Sequence, residues 1–91
     1  MNDTTLYEQV IDAWGHRAQE DMCIEECSEL INAIEKHRRG RNGDKDVITE
    51  IADVMIMCEQ MAVIYGVEQV QAEKRFKLMR LYERLQKSKS I

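Results

Sequence analysis

Glu50 and Asp53 stand inside the most apolar stretch of the chain, flanked by Val47, Ile48, Ile51, Val54, Met55 and Ile56. A carboxylate without a partner in such surroundings costs several kcal/mol or keeps its proton. Something must compensate both. At ~100° per residue, positions i and i+3 of a helix lie roughly 60° apart, so the two carboxylates point the same way and can share one cation. Glu26 and Glu29 repeat the spacing earlier in the chain, with Glu25 beside them. Two such pairs on helices joined by a short turn can face each other. Four carboxylates packed together repel, and like charge this dense is retained mainly where a metal neutralises it.

The ligand type narrows the metal. Carboxylates completed by waters and phosphate oxygens suit Mg²⁺, with Mn²⁺ able to substitute. A di-iron carboxylate bundle would want two Glu-x-x-His motifs, and neither His16 nor His37 stands three residues after a Glu. The bland alternative is that these acids are solvated helix residues, or pair with Lys and Arg of the last helix. Two pairs of the same spacing, one of them in a very apolar helix, weigh against it.

Helices must position these residues. The chain has no proline, four glycines and an excess of good helix formers. Thr5 and Glu8 read as a capping box ahead of Tyr7, Val10, Ile11 and Trp14, a first helix over about 5–14. After Gly15 a second helix is expected to about His37, with Cys23, Cys27, Leu30, Ile31 and Ile34 on one stripe. Gly40-Arg41-Asn42-Gly43 is the one strong turn signal and makes a helical hairpin. The third helix, about 46–65, is apolar on almost every side and is expected to be central and buried. Gly66 separates it from a fourth, from Val67 to about Gln86, with Leu78, Leu81, Tyr82 and Leu85 inward. The expectation is an all-α, four-helix bundle-like protomer, one domain over 1–91 with residues 1–4 and 87–91 frayed.

Ninety-one residues with 44% apolar and 33% charged composition describe a small folded chain, too hydrophobic for disorder and too charged for a membrane protein. A protomer of this size buries little of its surface, so a homodimer or homotetramer is expected. The start of the sequence lacks the basic and apolar regions of a signal peptide, and three cysteines, an odd number, suit free thiols; a cytoplasmic location follows. Charge is segregated. Residues 1–35 hold nine acids against Arg17, 36–45 five bases against Asp44, 46–73 six acids and no base, and 74–91 seven bases against Glu83. A net charge of −4 argues against nucleic acid as a partner. Acidic helices can instead hold cations while basic segments hold the anion those cations accompany. Lys74, Lys77, Arg80 and Arg84 form such a stripe on the last helix, suited to phosphate oxygens. Trp14 can stack on a base, although an interior anchor is the stronger reading. Gln19 and Asn32 carry amides able to read base edges. Cys23 and Cys27 are read as structural thiols, because no second ligand pair has zinc spacing.

Glu25-Glu26-Cys27-Ser28-Glu29 reads as EExxE, and Glu50-Ile51-Ala52-Asp53, twenty residues on, as ExxD. Together with Trp14-Gly15, Leu30, Val54, Lys77-Leu78, Arg80-Leu81 and Arg84-Leu85, the chain resembles the MazG-type all-α nucleoside triphosphate pyrophosphohydrolases over most of residues 6–85. The resemblance implies Mg²⁺-dependent cleavage of a nucleoside triphosphate to the monophosphate and pyrophosphate. Carried over by motif, Glu26, Glu29, Glu50 and Asp53 are the metal ligands, and Glu25 stands behind them or orients the attacking water. Phosphoribosyl-ATP pyrophosphohydrolase shares both acidic motifs. It usually has a lysine shortly before the first and Tyr-His after the second, where this chain has Met22-Cys23-Ile24 and Met55-Ile56-Met57. From another class, a non-catalytic helical interaction module would use the acids for structure or for a basic partner. The base and sugar of the substrate are not legible in the motifs, which touch only metals and phosphates.

Overall fold

A computed structural model describes residues 2–89, which form four helices and no strand. They are α1 (Asp3–Trp14), α2 (His16–Arg38), α3 (Asp44–Tyr65) and α4 (Val67–Lys89). The fold is all-α, as expected. The ends differ from the sequence reading. Asn2, not Thr5, caps α1: its side-chain oxygen accepts from the Thr5 backbone N–H at 2.8 Å, so Thr5 lies inside the first turn. Residues 3–4 and 87–89, expected to fray, are helical, while residues 1, 90 and 91 lie outside the described residues.

Single glycines make two of the three joints. Gly15, at φ 93°, ends α1 and donates its N–H to the Ile11 carbonyl, and Gly66, at φ 129°, ends α3 and donates its N–H to the Ala62 carbonyl. That backbone region strains a side chain, so each joint calls for glycine. The third joint is the hairpin turn. There Asn42 donates its side-chain amide to the Ala33 carbonyl, and His37 Nε2 meets Asp44 Oδ1 at 2.6 Å, tying the last turn of α2 to the first residue of α3.

Packing is centred on the α2–α3 hairpin, and α1 lies against both of its arms. The buried residues are Tyr7 and Ile11 of α1, Gln19 and Ala33 of α2, and Met57 and Gln60 of α3. Tyr7, one helical turn from Ile11, donates its hydroxyl to Glu59 at 2.5 Å and anchors α1 on α3.

The expected burial of α3 and α4 does not occur within one protomer. Ile48, Ile51, Met55 and Ile56 of α3 are exposed. So are Leu78, Leu81, Tyr82 and Leu85 of α4, which has no buried residue and touches only α3 among the described helices. The radius of gyration is 16.5 Å, where a compact chain of this length would have about 12 Å. The physical reason is the Gly66 joint. It sends a 23-residue helix, roughly 34 Å long, away from the hairpin rather than back along it. Trp14, read as an interior anchor, is 68% exposed at the end of α1.

Candidate active site

The two acidic pairs meet midway along the hairpin. Because α2 and α3 run antiparallel, residues that advance along one helix oppose residues that retreat along the other. Glu26 therefore faces Asp53, and Glu50 faces Glu29, close enough that Asp53 raises the Glu26 carboxyl and Glu29 the Glu50 carboxyl. One carboxylate oxygen from each of Glu26, Glu29 and Glu50 lies within 4.8 Å of the other two. Asp53 joins through Glu26.

The electrostatics are those of a frustrated cluster. Burial pushes the Glu26 carboxyl above the usual carboxylate range, and Glu29, Asp53 and Glu50 push it further. Glu50 moves the same way, again through burial first, then Glu29, Asp53 and Asp46. All the charges acting on these two groups are carboxylates. One oxygen of Glu26 and one of Glu50 are buried with no hydrogen-bond partner. Native proteins rarely leave buried carboxylate oxygens orphaned, because the desolvation cost is not returned.

That donor set fits a hard divalent cation. It is all oxygen, it converges, and it carries more negative charge than the surrounding side chains neutralise. With the charge compensated by a cation, such a site can hold an anionic group beside it. Without compensation, its members must share protons.

The remaining residues singled out in the sequence are distributed differently. Glu25 is exposed, one position off the face that Glu26 presents to α3. Lys74, Lys77, Arg80 and Arg84 are not brought to the carboxylates, since no base is among the groups that act on Glu26 or Glu50. Arg80 instead lies over the Phe76 ring, 5.9 Å from its centroid. Gln19 is 4% exposed and belongs to the small core, which leaves it a poor reader of base edges; Asn32 is exposed. Asp46 acts on Glu50 and went unremarked in the sequence. Its signal was there, four residues before Glu50 and so on the same helical face. Gln60, whose side-chain oxygen is buried and unpaired, gave no sequence signal beyond being polar in an apolar run.

The family model of the MazG nucleotide pyrophosphohydrolase domain matches residues 15–87. The match spans both acidic motifs and most of the last helix. Comparison with curated proteins and with solved structures returns no match.

Proposed function

The chain belongs to the MazG nucleotide pyrophosphohydrolase family, and on that premise we propose that it hydrolyses a ribo- or deoxyribonucleoside triphosphate to the monophosphate and pyrophosphate, using Mg²⁺ held by Glu26, Glu29, Glu50 and Asp53. The observation that carries this reading is the convergence of three carboxylates within 4.8 Å, two of them with an orphaned buried oxygen. Acids held only for solubility would not be driven together against their own repulsion.

Bound there, Mg²⁺ supplies charge that screens the polyphosphate and eases deprotonation of the attacking water; Mn²⁺ should serve in its place. The chain's part is to hold and orient. The antiparallel hairpin fixes the two pairs face to face, so that Glu26 and Glu29 from α2 and Glu50 and Asp53 from α3 act as one preorganised set. Glu25, beside them, orients the water or takes its proton. The oxygen of that water ends on the monophosphate, and the bridging oxygen leaves with the pyrophosphate.

The enzyme acts as a homodimer or homotetramer. Phe76, Leu78, Met79, Leu81, Tyr82 and Leu85 stay 50–65% exposed along α4, and so do Ile48 and Met55 of α3. An apolar area this large supports association with further copies. The same assembly would let Lys74, Lys77, Arg80 and Arg84 of one copy reach phosphates at the carboxylates of another, where acidic and basic segments complement each other. Trp14, exposed at the end of α1, is then free to stack on a base. The free thiols support a cytoplasmic location. No helix among the described residues is long and apolar enough to cross a membrane.

The test is turnover of a panel of canonical and modified triphosphates in ¹⁸O-labelled water with Mg²⁺, the products separated by chromatography. Label in the monophosphate and none in pyrophosphate is the expected result. Diphosphate with orthophosphate would place the cleaved bond elsewhere. Hydrolysis of phosphoribosyl-ATP alone would reassign the substrate, and no product from any of them would favour an interaction module.

A further inference from the structure

The hairpin that aligns the carboxylates also aligns thiols. Its cross-helix contacts form a ladder: His37 with Asp44, Glu29 with Glu50, Glu26 with Asp53, and Glu20 with Tyr65. Between the last two rungs the antiparallel register sets Cys23 of α2 against Cys58 of α3. Both Cys58 and Cys27 are near enough to act on the Cys23 thiol. All three cysteines are free thiols, Cys58 exposed and Cys23 and Cys27 half-buried.

The two possible partners of Cys23 are not equivalent. Cys27 is its i+4 neighbour, and Cβ atoms so placed on a helix are about 5–6 Å apart, whereas a disulfide needs about 3.5–4.5 Å. Closing that bond would unwind α2. Cys58 stands on another helix, where a small approach of two packed side chains brings the sulfurs together without breaking either helix. Within the protomer Cys58 is exposed and Cys23 half-buried, so an oxidant arriving from solvent meets Cys58 first.

We propose that Cys58 and Cys23 are a peroxide-responsive modification site, closing an intramolecular disulfide that ties α3 to α2 about one helical turn from the carboxylate cluster. The Cys58 sulfur attacks hydrogen peroxide, the O–O bond breaks, and one oxygen leaves as water while the other remains as the sulfenic acid. The Cys23 sulfur then attacks the Cys58 sulfur and expels hydroxide, which departs as a second water with the Cys23 proton. Two thiols are oxidised and one peroxide is reduced. Burial, then the neighbouring thiols, push Cys23 up to about 11, which disfavours its thiolate.

The experiment needs no nucleotide, so its outcome is independent of the proposed activity. The intact protein is treated with hydrogen peroxide, thiols are counted after unfolding, and tryptic peptides are mapped without reduction. The expected result is a fall from three thiols to one, at protomer mass on a non-reducing gel, with residues 18–36 joined to 46–74 through Cys23. Cys27→Ser should still close the bond, and Cys58→Ser, a surface change, should abolish it. Three surviving thiols, a bond through Cys27, or a disulfide between chains would each overturn the proposal.

Discussion

Replacing Glu26 by Gln should stabilise the metal-free protein and make it less responsive to Mg²⁺. The carboxylate has two neighbours with an oxygen within 4.8 Å. At that distance in a water-like dielectric each repulsion is worth about 0.9 kcal/mol, and physiological salt roughly halves it. Because Glu26 is only half-buried, this fully screened figure is the appropriate one. Removing the charge while keeping the shape therefore relieves about 1 kcal/mol, or a rise in Tm of roughly 4–8 °C for a domain of this size. With Mg²⁺ at a hundred times its Kd, the wild type gains about 2.7 kcal/mol by binding, and the variant, lacking one ligand, gains less. The order of the two melting temperatures should thus reverse between EDTA and Mg²⁺. Thermal melts followed by circular dichroism, at one protomer concentration, read both. A variant that melts several degrees below wild type in EDTA would refute the reasoning, since it would mean that the cluster's charge is already compensated within the protomer.

Three further outcomes follow from the same contacts. The raised Glu26 and Glu50 groups bind more protons folded than unfolded, so their contribution is full below the ordinary value of 4.5 and lost as pH rises through the raised values; in EDTA the protein should melt higher at pH 5 than at pH 7.5, and Mg²⁺ should flatten the difference. Tyr7→Phe removes the 2.5 Å hydrogen bond to Glu59 and should cost about 0.5–1.5 kcal/mol in urea unfolding, with Mg²⁺ affinity unchanged. Gly66→Ala puts a side chain at φ 129°, a backbone conformation that strains any L side chain; a loss of roughly 1–3 kcal/mol is expected in the same assay.

The sequence carried the local parts of this account and missed the non-local ones. Helix positions follow from apolar periodicity and from Gly15, Gly40, Gly43 and Gly66, and the structure keeps all four helices. The i, i+3 spacing of Glu26–Glu29 and Glu50–Asp53 is also local, so the orientation of each pair could be read before any packing was known. Their meeting depended on one short hairpin turn, and short connections leave little choice. The course of α4 was different. Its apolar stripe says that Leu78, Leu81 and Leu85 need a partner, but not whether that partner is in the same chain. In the protomer it is not. Trp14 and α3 misled for the same reason, since hydrophobicity predicts burial without naming the surface that covers it. The Asn2 cap was missed because the capping-box pattern at Thr5–Glu8 competed with it, and the two differ by a single helical turn.

We propose that the carboxylates of the α2–α3 hairpin form the divalent-cation centre of a nucleotide pyrophosphohydrolase. This is tested most directly by pyrophosphate release from a triphosphate by wild type and Glu50→Gln, in Mg²⁺ and in EDTA, with the variant's helicity and oligomeric state checked first. Release by the wild type in Mg²⁺ alone and none by the folded variant is the expected result. Equal release by both proteins, or release that survives EDTA, would contradict it.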